Sequence, residues 1–251
     1  MQIGILQADS VLEQFQGAHG NYPGMIETIL TDAAASLGIS VNYLTYNVEQ
    51  GQYPGAVGDC DGYIITGSKK SVYDGDPWIA ALIDFVRVLH KEQVRLVGIC
   101  FGHQLIAEAL GGRTTAAKIG WGVGVHNSDV CAQAWFMKPE LDRFSLIVSH
   151  KDQVTKLPDE ARLLAGSDFC PNSMFSIGDH ILAMQGHPEF SRAYAADLMN
   201  WRKDIIGTEI YKQGMSSLEG PLSHGEVSAW ILRFLMAGAD RDSNGVLLQP
   251  S

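Results

Sequence analysis

Apolar and polar positions alternate with two different periods along the first half of the chain. Residues 1–6 form an apolar run of strand length, and residues 22–37 space their apolar positions as a helix does, with Gly38 as a stop that tolerates left-handed backbone. Residues 41–46 alternate as a strand should, and residues 62–66 are a short β-branched run. A helix is predicted from Pro77, a residue suited to the first helical turn, to about residue 90. Strand 95–100 then runs directly into helix 101–110, which Gly111-Gly112 closes. Such strand–helix alternation predicts a parallel sheet covered on both faces. Between residues 114 and 185 the apolar runs shorten to 121–125, 145–148 and 181–185 and turn residues become denser, which predicts a mixed or antiparallel extension of that sheet. Helical spacing returns at 194–212 and 226–237 across a Gly/Ser/Pro-rich link, and 238–251 reads as a loose tail. Trp201, Tyr211, Trp230 and Phe234 fall at helical spacing and are expected in the core. The fold class is therefore α/β: an open, twisted, mostly parallel sheet with helices on both faces.

Composition narrows the picture. With 46% hydrophobic and 18% charged residues the chain can bury a full core, and one domain over 1–251 is expected, with 1–190 as its core and 191–251 as a helical segment and tail. A net charge of −10 argues against nucleic-acid and anionic-membrane partners, which need an excess of Lys and Arg, and leaves a small molecule or a protein. The cysteines Cys60, Cys100, Cys131 and Cys170 are scattered with no C-x-x-C spacing, as in a reducing compartment. No leader-like segment or membrane-length run occurs, so the cytoplasm is the expected location.

One junction carries chemistry. In Gly98-Ile-Cys100-Phe-Gly102-His103 a strand enters a helix through a glycine-flanked residue, which forces a sharp turn and lifts the Cys100 side chain above the carboxyl edge of the sheet. The unpaired N–H groups and positive dipole end of the helix favour a thiolate there and can also bind an oxyanion. Most free cysteines are simply small buried hydrophobes, and the elbow alone does not separate the two readings. Cys60, Cys131 and Cys170 have no such setting and read as structural thiols.

A thiolate nucleophile wants a histidine base, and the histidine wants a group that fixes its tautomer. Gly186-His187-Pro188-Glu189 supplies both at the end of an apolar strand. Pro188 disfavours helix at His187, and in extended backbone residues two apart project to the same side, so His187 and Glu189 can lie together.

The segment Gly98-Ile-Cys-Phe-Gly-His-Gln104, followed later by Gly186-His-Pro-Glu189, resembles the class I glutamine amidotransferase family. The resemblance covers roughly residues 62–190. It implies a flavodoxin-like α/β sheet, a Cys100–His187–Glu189 triad, attack on a γ-glutamyl amide, and a γ-glutamyl thioester released by water. By the same match the N–H groups of Phe101 and of Gly67 or Ser68 would bind the oxyanion, and Gln104 would contact substrate. Two places depart from the family's pattern. Thr66-Gly-Ser-Lys-Lys70 replaces a Gly-Gly-Pro oxyanion loop, and Ser149-His-Lys-Asp152 replaces a glycine-containing segment that holds the amino-acid end of glutamine, where Ser149 and Lys151 would reshape the pocket. Among subgroups the chain looks most like stand-alone relatives of the GMP synthetase glutaminase part, a group that includes γ-glutamyl peptide hydrolases.

Other signals carry less. Gly62 and Gly67 have phosphate-loop spacing, but Ser68-Lys69 stands where Lys-Ser/Thr is needed. Gly120-Trp-Gly-Val-Gly124 reads as turn and strand. His103, His150 and His187 lack metal-ligand spacing, and no cofactor or metal is expected. Residues 191–251 are too few for a domain binding ATP and an acceptor, which takes on the order of a hundred residues. The expected activity is thus γ-glutamyl hydrolysis, with an ammonia-supplying component of a synthase, or a silent regulatory module, as the alternatives.

Overall fold

The computed structural model describes residues 1–237; the expected tail at 238–251 lies outside them. The first half follows the predicted alternation: β1 (Gln2–Gln7), α1 (Glu13–His19), α2 (Tyr22–Leu37), β2 (Asn42–Asn47), β3 (Gly62–Ile65), α3 (Pro77–Lys91), β4 (Arg95–Ile99) and α4 (Phe101–Ala109). Then come β5 (Arg113–Ala116), β6 (Gly122–Val130), β7 (Arg143–His150), β8 (Asp152–Lys156), β9 (Ala161–Gly166), β10 (Met174–Ile177) and β11 (Ile181–Met184). Helices α5 (Arg192–Ile206), α6 (Thr208–Ser217) and α7 (His224–Met236) complete the described chain.

Among the described residues, nine strands form one sheet in the order β2-β1-β3-β4-β11-β10-β9-β6-β7, and β5 pairs with β8 separately. The pairings from β2 to β11 are parallel, and those from β11 through β10, β9 and β6 to β7 are antiparallel. This is the mixed extension expected from the shorter apolar runs. Strands β1, β3, β4 and β11 are buried on both faces because helices cover both, whereas the edge strand β2 has no buried residue. Ile3, Ile5, Ile64, Val97 and Ile99 join Ile26 and Leu30 of α2 and Trp230 and Phe234 of α7 in one core cluster. Leu6, Tyr63, Ile65 and Leu96 point the other way, into a second cluster with Ile79, Leu82 and Val86 of α3 and Leu105 of α4.

Local chemistry explains the element ends. Asn21 accepts the N–H of Tyr22 at the start of α2, and Gly38 ends that helix at φ 70° while its N–H reaches Ala34 O and Ala35 O. The predicted single helix over 194–212 is instead two, α5 and α6, because Gly207 sits at φ 89°, which no α-helix accommodates. Strands β6 and β7 outrun their apolar cores because backbone pairing continues from Gly122↔His150 to Asp129↔Arg143 beneath outward polar side chains. Trp230 and Phe234 are core residues as expected, but Trp201 is 52% exposed and Tyr211 only half-buried. Tyr211 packs at the edge of a third apolar cluster with Leu198 and Met199, whereas Trp201 lies on a side of α5 that meets solvent. Cys60 and Cys170 are buried, whereas Cys131 is exposed and has no structural burial to explain it.

The tightest packing lies where β4 turns into α4. A Cβ on Gly98 would lie 2.6 Å from the carbonyl of Gly102, and one on Gly102 would lie 2.6 Å from Ile65 O. Gly102→Ala is expected to destabilise the protein by about 1–3 kcal/mol through overpacking against fixed backbone. Gly24→Ala at an exposed position of α2, where nothing lies within 4 Å, should be neutral or stabilising by up to about 1 kcal/mol. Urea unfolding midpoints of the two variants check this, and equal midpoints would refute it.

Candidate active site

Three neighbouring parallel strands deliver the site. In β3, β4 and β11 the register places Ile65 beside Gly98 and Ile99 beside Met184, so their carboxyl ends finish side by side. The residues that follow are Thr66-Gly67, Cys100 and Gln185-Gly186-His187. The carboxyl edge of a parallel sheet is where α/β folds bind ligands. Cys100 N–H bonds to Met184 O at 2.9 Å, and the backbone of His187 is anchored across the sheet by its N–H to Ile147 O at 2.8 Å.

Cys100 occupies φ 52°, ψ −99°, one of two non-glycine residues with positive φ among the described residues. Such a conformation is costly and persists only where the surroundings impose it. Here the imposition is the close pass of Gly98 and Gly102. A Cβ built on Gly67 would meet His187 Cε1 at 3.0 Å and Cys100 Cβ at 3.8 Å, which puts the Gly67 backbone against both groups. The His187 ring donates from Nδ1 to Glu189 Oε1 at 2.7 Å, leaving Nε2 for the sulfur side, and stacks on Phe190 with centroids 3.8 Å apart. All of Cys100, His187 and Glu189 are buried.

A cleft opens above the sulfur. Its wall includes Ser68, Lys70, Gln104, Ser149, Lys151 and Asp152, together with Trp121 and Arg202. Residues 21–199 match the glutamine amidotransferase class-I family.

The chain belongs to the class I glutamine amidotransferase family.

Its relatives include γ-glutamyl peptidase 4 of Arabidopsis thaliana, 30% identical over 189 residues that make up 72% of this chain and 73% of the relative. The matching component of the glutamine-hydrolysing GMP synthase of Methanococcoides burtonii is 41% identical over 119 residues, 47% of this chain and 62% of that one. In fold, a glutamine amidotransferase of Thermotoga maritima superposes with a TM-score of 0.70 at 19% identity, covering 93% of this chain and 96% of that one.

The residues the family resemblance points to are brought together, but not all in one manner. Cys100, Ser68, Gln104, Ser149 and Lys151 line the cleft, while Gly67, His187 and Glu189 lie beside and beneath it. The Phe101 ring is buried and packs on Trp78, which leaves only its backbone N–H for a ligand, at the first turn of α4 where amides lack intrahelical acceptors. Both amide hydrogens of Gln104 are engaged inside the protein, with Asp152 O at 2.9 Å and Gln185 Oε1 at 3.0 Å. Ser149 Oγ accepts from Arg202 at 2.9 Å.

Several participants have no counterpart in the sequence reading. Asp9, from the loop after β1, accepts from Lys69 N–H and Lys69 Nζ, each at 2.8 Å, and so holds the segment after Gly67. Arg202 of α5 lies over Trp121 and Trp201 at 5.6 and 6.0 Å and forms the far wall of the cleft. No motif marks these residues, because Asp9 meets Lys69, and Arg202 meets Trp121 and Ser149, across long stretches of sequence. Among the described residues no cluster of His, Cys, Asp and Glu could hold a metal ion, and no helix is long and apolar enough to cross a membrane.

Protonation differs sharply among the buried histidines. Burial alone would push His187 down, but Glu189 and the Cys100 sulfur outweigh it and raise the ring to about 10. His103 and His150 have no such partner, and burial pushes each down to about 3. An unfolded histidine titrates near 6.5. Below about 6.5 the unfolded chain binds protons that folded His103 and His150 refuse, so their contribution to stability is lost as pH falls toward 3. The His187 contribution is complete below about 6.5 and is lost as pH rises through about 10. Urea titrations across pH should therefore show His103→Gln flattening the acid limb and Glu189→Gln flattening the alkaline one. Limbs as steep as the wild type's in both variants would contradict these assignments.

Proposed function

We propose that the protein hydrolyses γ-glutamyl amides through a γ-glutamyl thioester on Cys100. The observation that carries this reading is Cys100 at its left-handed elbow, with Gly67 against one side and a buried His187–Glu189 pair beside it. With Nδ1–H committed to Glu189, Nε2 of His187 already holds the proton taken from the Cys100 thiol, and the thiolate attacks the γ-carbonyl carbon. The oxygen of the tetrahedral intermediate meets the N–H groups of Phe101 and of Gly67 or Ser68. The C–N bond breaks, His187 returns the proton to the departing amine, and a water deprotonated by the same ring attacks the thioester. Its C–S bond breaks, freeing glutamate and returning the sulfur as a thiolate beside the His187 ring, which holds the proton taken from the water.

Two features favour a stand-alone hydrolase of γ-glutamyl peptides. The first is the similarity to proteins named γ-glutamyl peptidases. The second is a cleft walled by Lys151 and Arg202 with Trp121, which offers cations and an aromatic face to a substrate larger than glutamine. The second reading, an ammonia-supplying component of a synthase working on glutamine, is favoured by the 41% identity to part of a glutamine-hydrolysing GMP synthase.

Glutamate release from γ-glutamyl dipeptides and from glutamine separates the two. Peptide turnover far above glutamine is expected; inactivity on peptides together with partner-stimulated glutaminase activity would install the second reading. Cys100→Ala should abolish release. His187→Ala should lower it by about 10²–10⁴-fold, and Glu189→Gln by less. Full activity in Cys100→Ala would end both readings.

A further inference from the structure

Gln185 is the residue that follows β11 and is 1% exposed. Its carboxamide touches the reacting sulfur: Nε2 lies 3.4 Å from Cys100 Sγ, within the longer range of a hydrogen bond to sulfur. Nitrogen and oxygen of a carboxamide can be told apart only by their partners. Here the partners decide. Gln104 Nε2, a donor only, faces Gln185 Oε1 at 3.0 Å, and Gln104 is itself oriented by the Asp152 carbonyl, which can only accept, at 2.9 Å. The oxygen of Gln185 must therefore face Gln104, and its N–H must face the sulfur.

We propose that Gln185 is a second hydrogen-bond donor to the Cys100 sulfur, besides His187, and that Gln104 serves as its positioning residue. This rests on Cys100 being the nucleophile. A donated hydrogen bond favours thiolate over thiol and loses its charged acceptor once the sulfur is acylated. When the thioester is hydrolysed, the electron pair of the breaking C–S bond returns to Sγ and the N–H of Gln185 stabilises it again. The bond thus supports the sulfur as nucleophile in the first half-reaction and as leaving group in the second.

Iodoacetamide alkylation of Cys100 as a function of pH tests this without requiring turnover, so it can fail while the hydrolase reading stands, and the reverse. Other groups facing the sulfur are His187, Cys170, His150, Asp152 and the cleft cations Lys69, Lys70, Lys151 and Arg202, all unchanged in the variants used. In Gln185→Met the profile should move to higher pH, with alkylation slowed about tenfold or more below neutral pH, while the plateau rate at high pH is retained. Gln104→Met should move it the same way by less. Gln185→Leu, which has no N–H for the sulfur and adds no charge beside it, should also shift the profile upward. It decides the matter if Gln185→Met fails to fold. Should the folded Gln185 variants alkylate with the wild-type profile, or lose rate uniformly at every pH, the proposal is overturned.

Discussion

The close pass of β4 and α4 is the constraint on which the site depends. A helix can begin one residue after a buried strand ends only if the intervening residue leaves the usual backbone regions, and Cys100 does so at φ 52°. That conformation is stable because Gly98, Gly102 and the Ile65 carbonyl meet at distances that leave no room for side chains. The strain at one residue is balanced by core packing of the strands and helices around it. Its product is a sulfur fixed at the edge of the sheet and at the mouth of a helix.

Around that sulfur the protein has arranged polar groups in an otherwise apolar interior. Burial disfavours charge at each of the three histidines there, and neighbours decide the outcome. His187 has Glu189 and a sulfur, and is driven upward; His103 and His150, without a carboxylate partner, are driven the other way. Three imidazoles within one part of the fold are thereby assigned opposite charge states by their surroundings. Of the three, only the one against the sulfur is able to carry a proton near neutral pH.

Much of this was readable in the residues themselves, for a physical reason. The elbow and the Gly-His-Pro-Glu corner are local: backbone restrictions at glycine and proline act on immediate neighbours, so their geometry can be inferred from spacing. The same holds for α2, whose Gly38 end closes the apolar period before it. What escaped was non-local or depended on a surface. Asp9 meets Lys69, Arg202 meets Trp121 and Ser149, and Gln185 meets Cys100 only after the sheet has formed. The helical spacing over 194–212 was genuine on both sides of Gly207, but periodicity does not register a single glycine at φ 89°. Nor does it say that Trp201 lies on a face that α5 turns outward.

The clasp between Asp9 and Lys69 has a consequence for how such sites can diversify. It joins the turn after the first strand to the segment beside Gly67, two stretches separated by most of a strand–helix–strand unit. Exchanging residues 66–70 for a loop without a cation at position 69, with Asp9 left in place, would strand a buried carboxylate without its ion pair. The two stretches are therefore a single inheritable unit. A lineage that removes the cation from the loop beside Cys100 disfavours the carboxylate at the chain's ninth residue, and recombination between the two segments carries that cost even where each half is sound in its own parent.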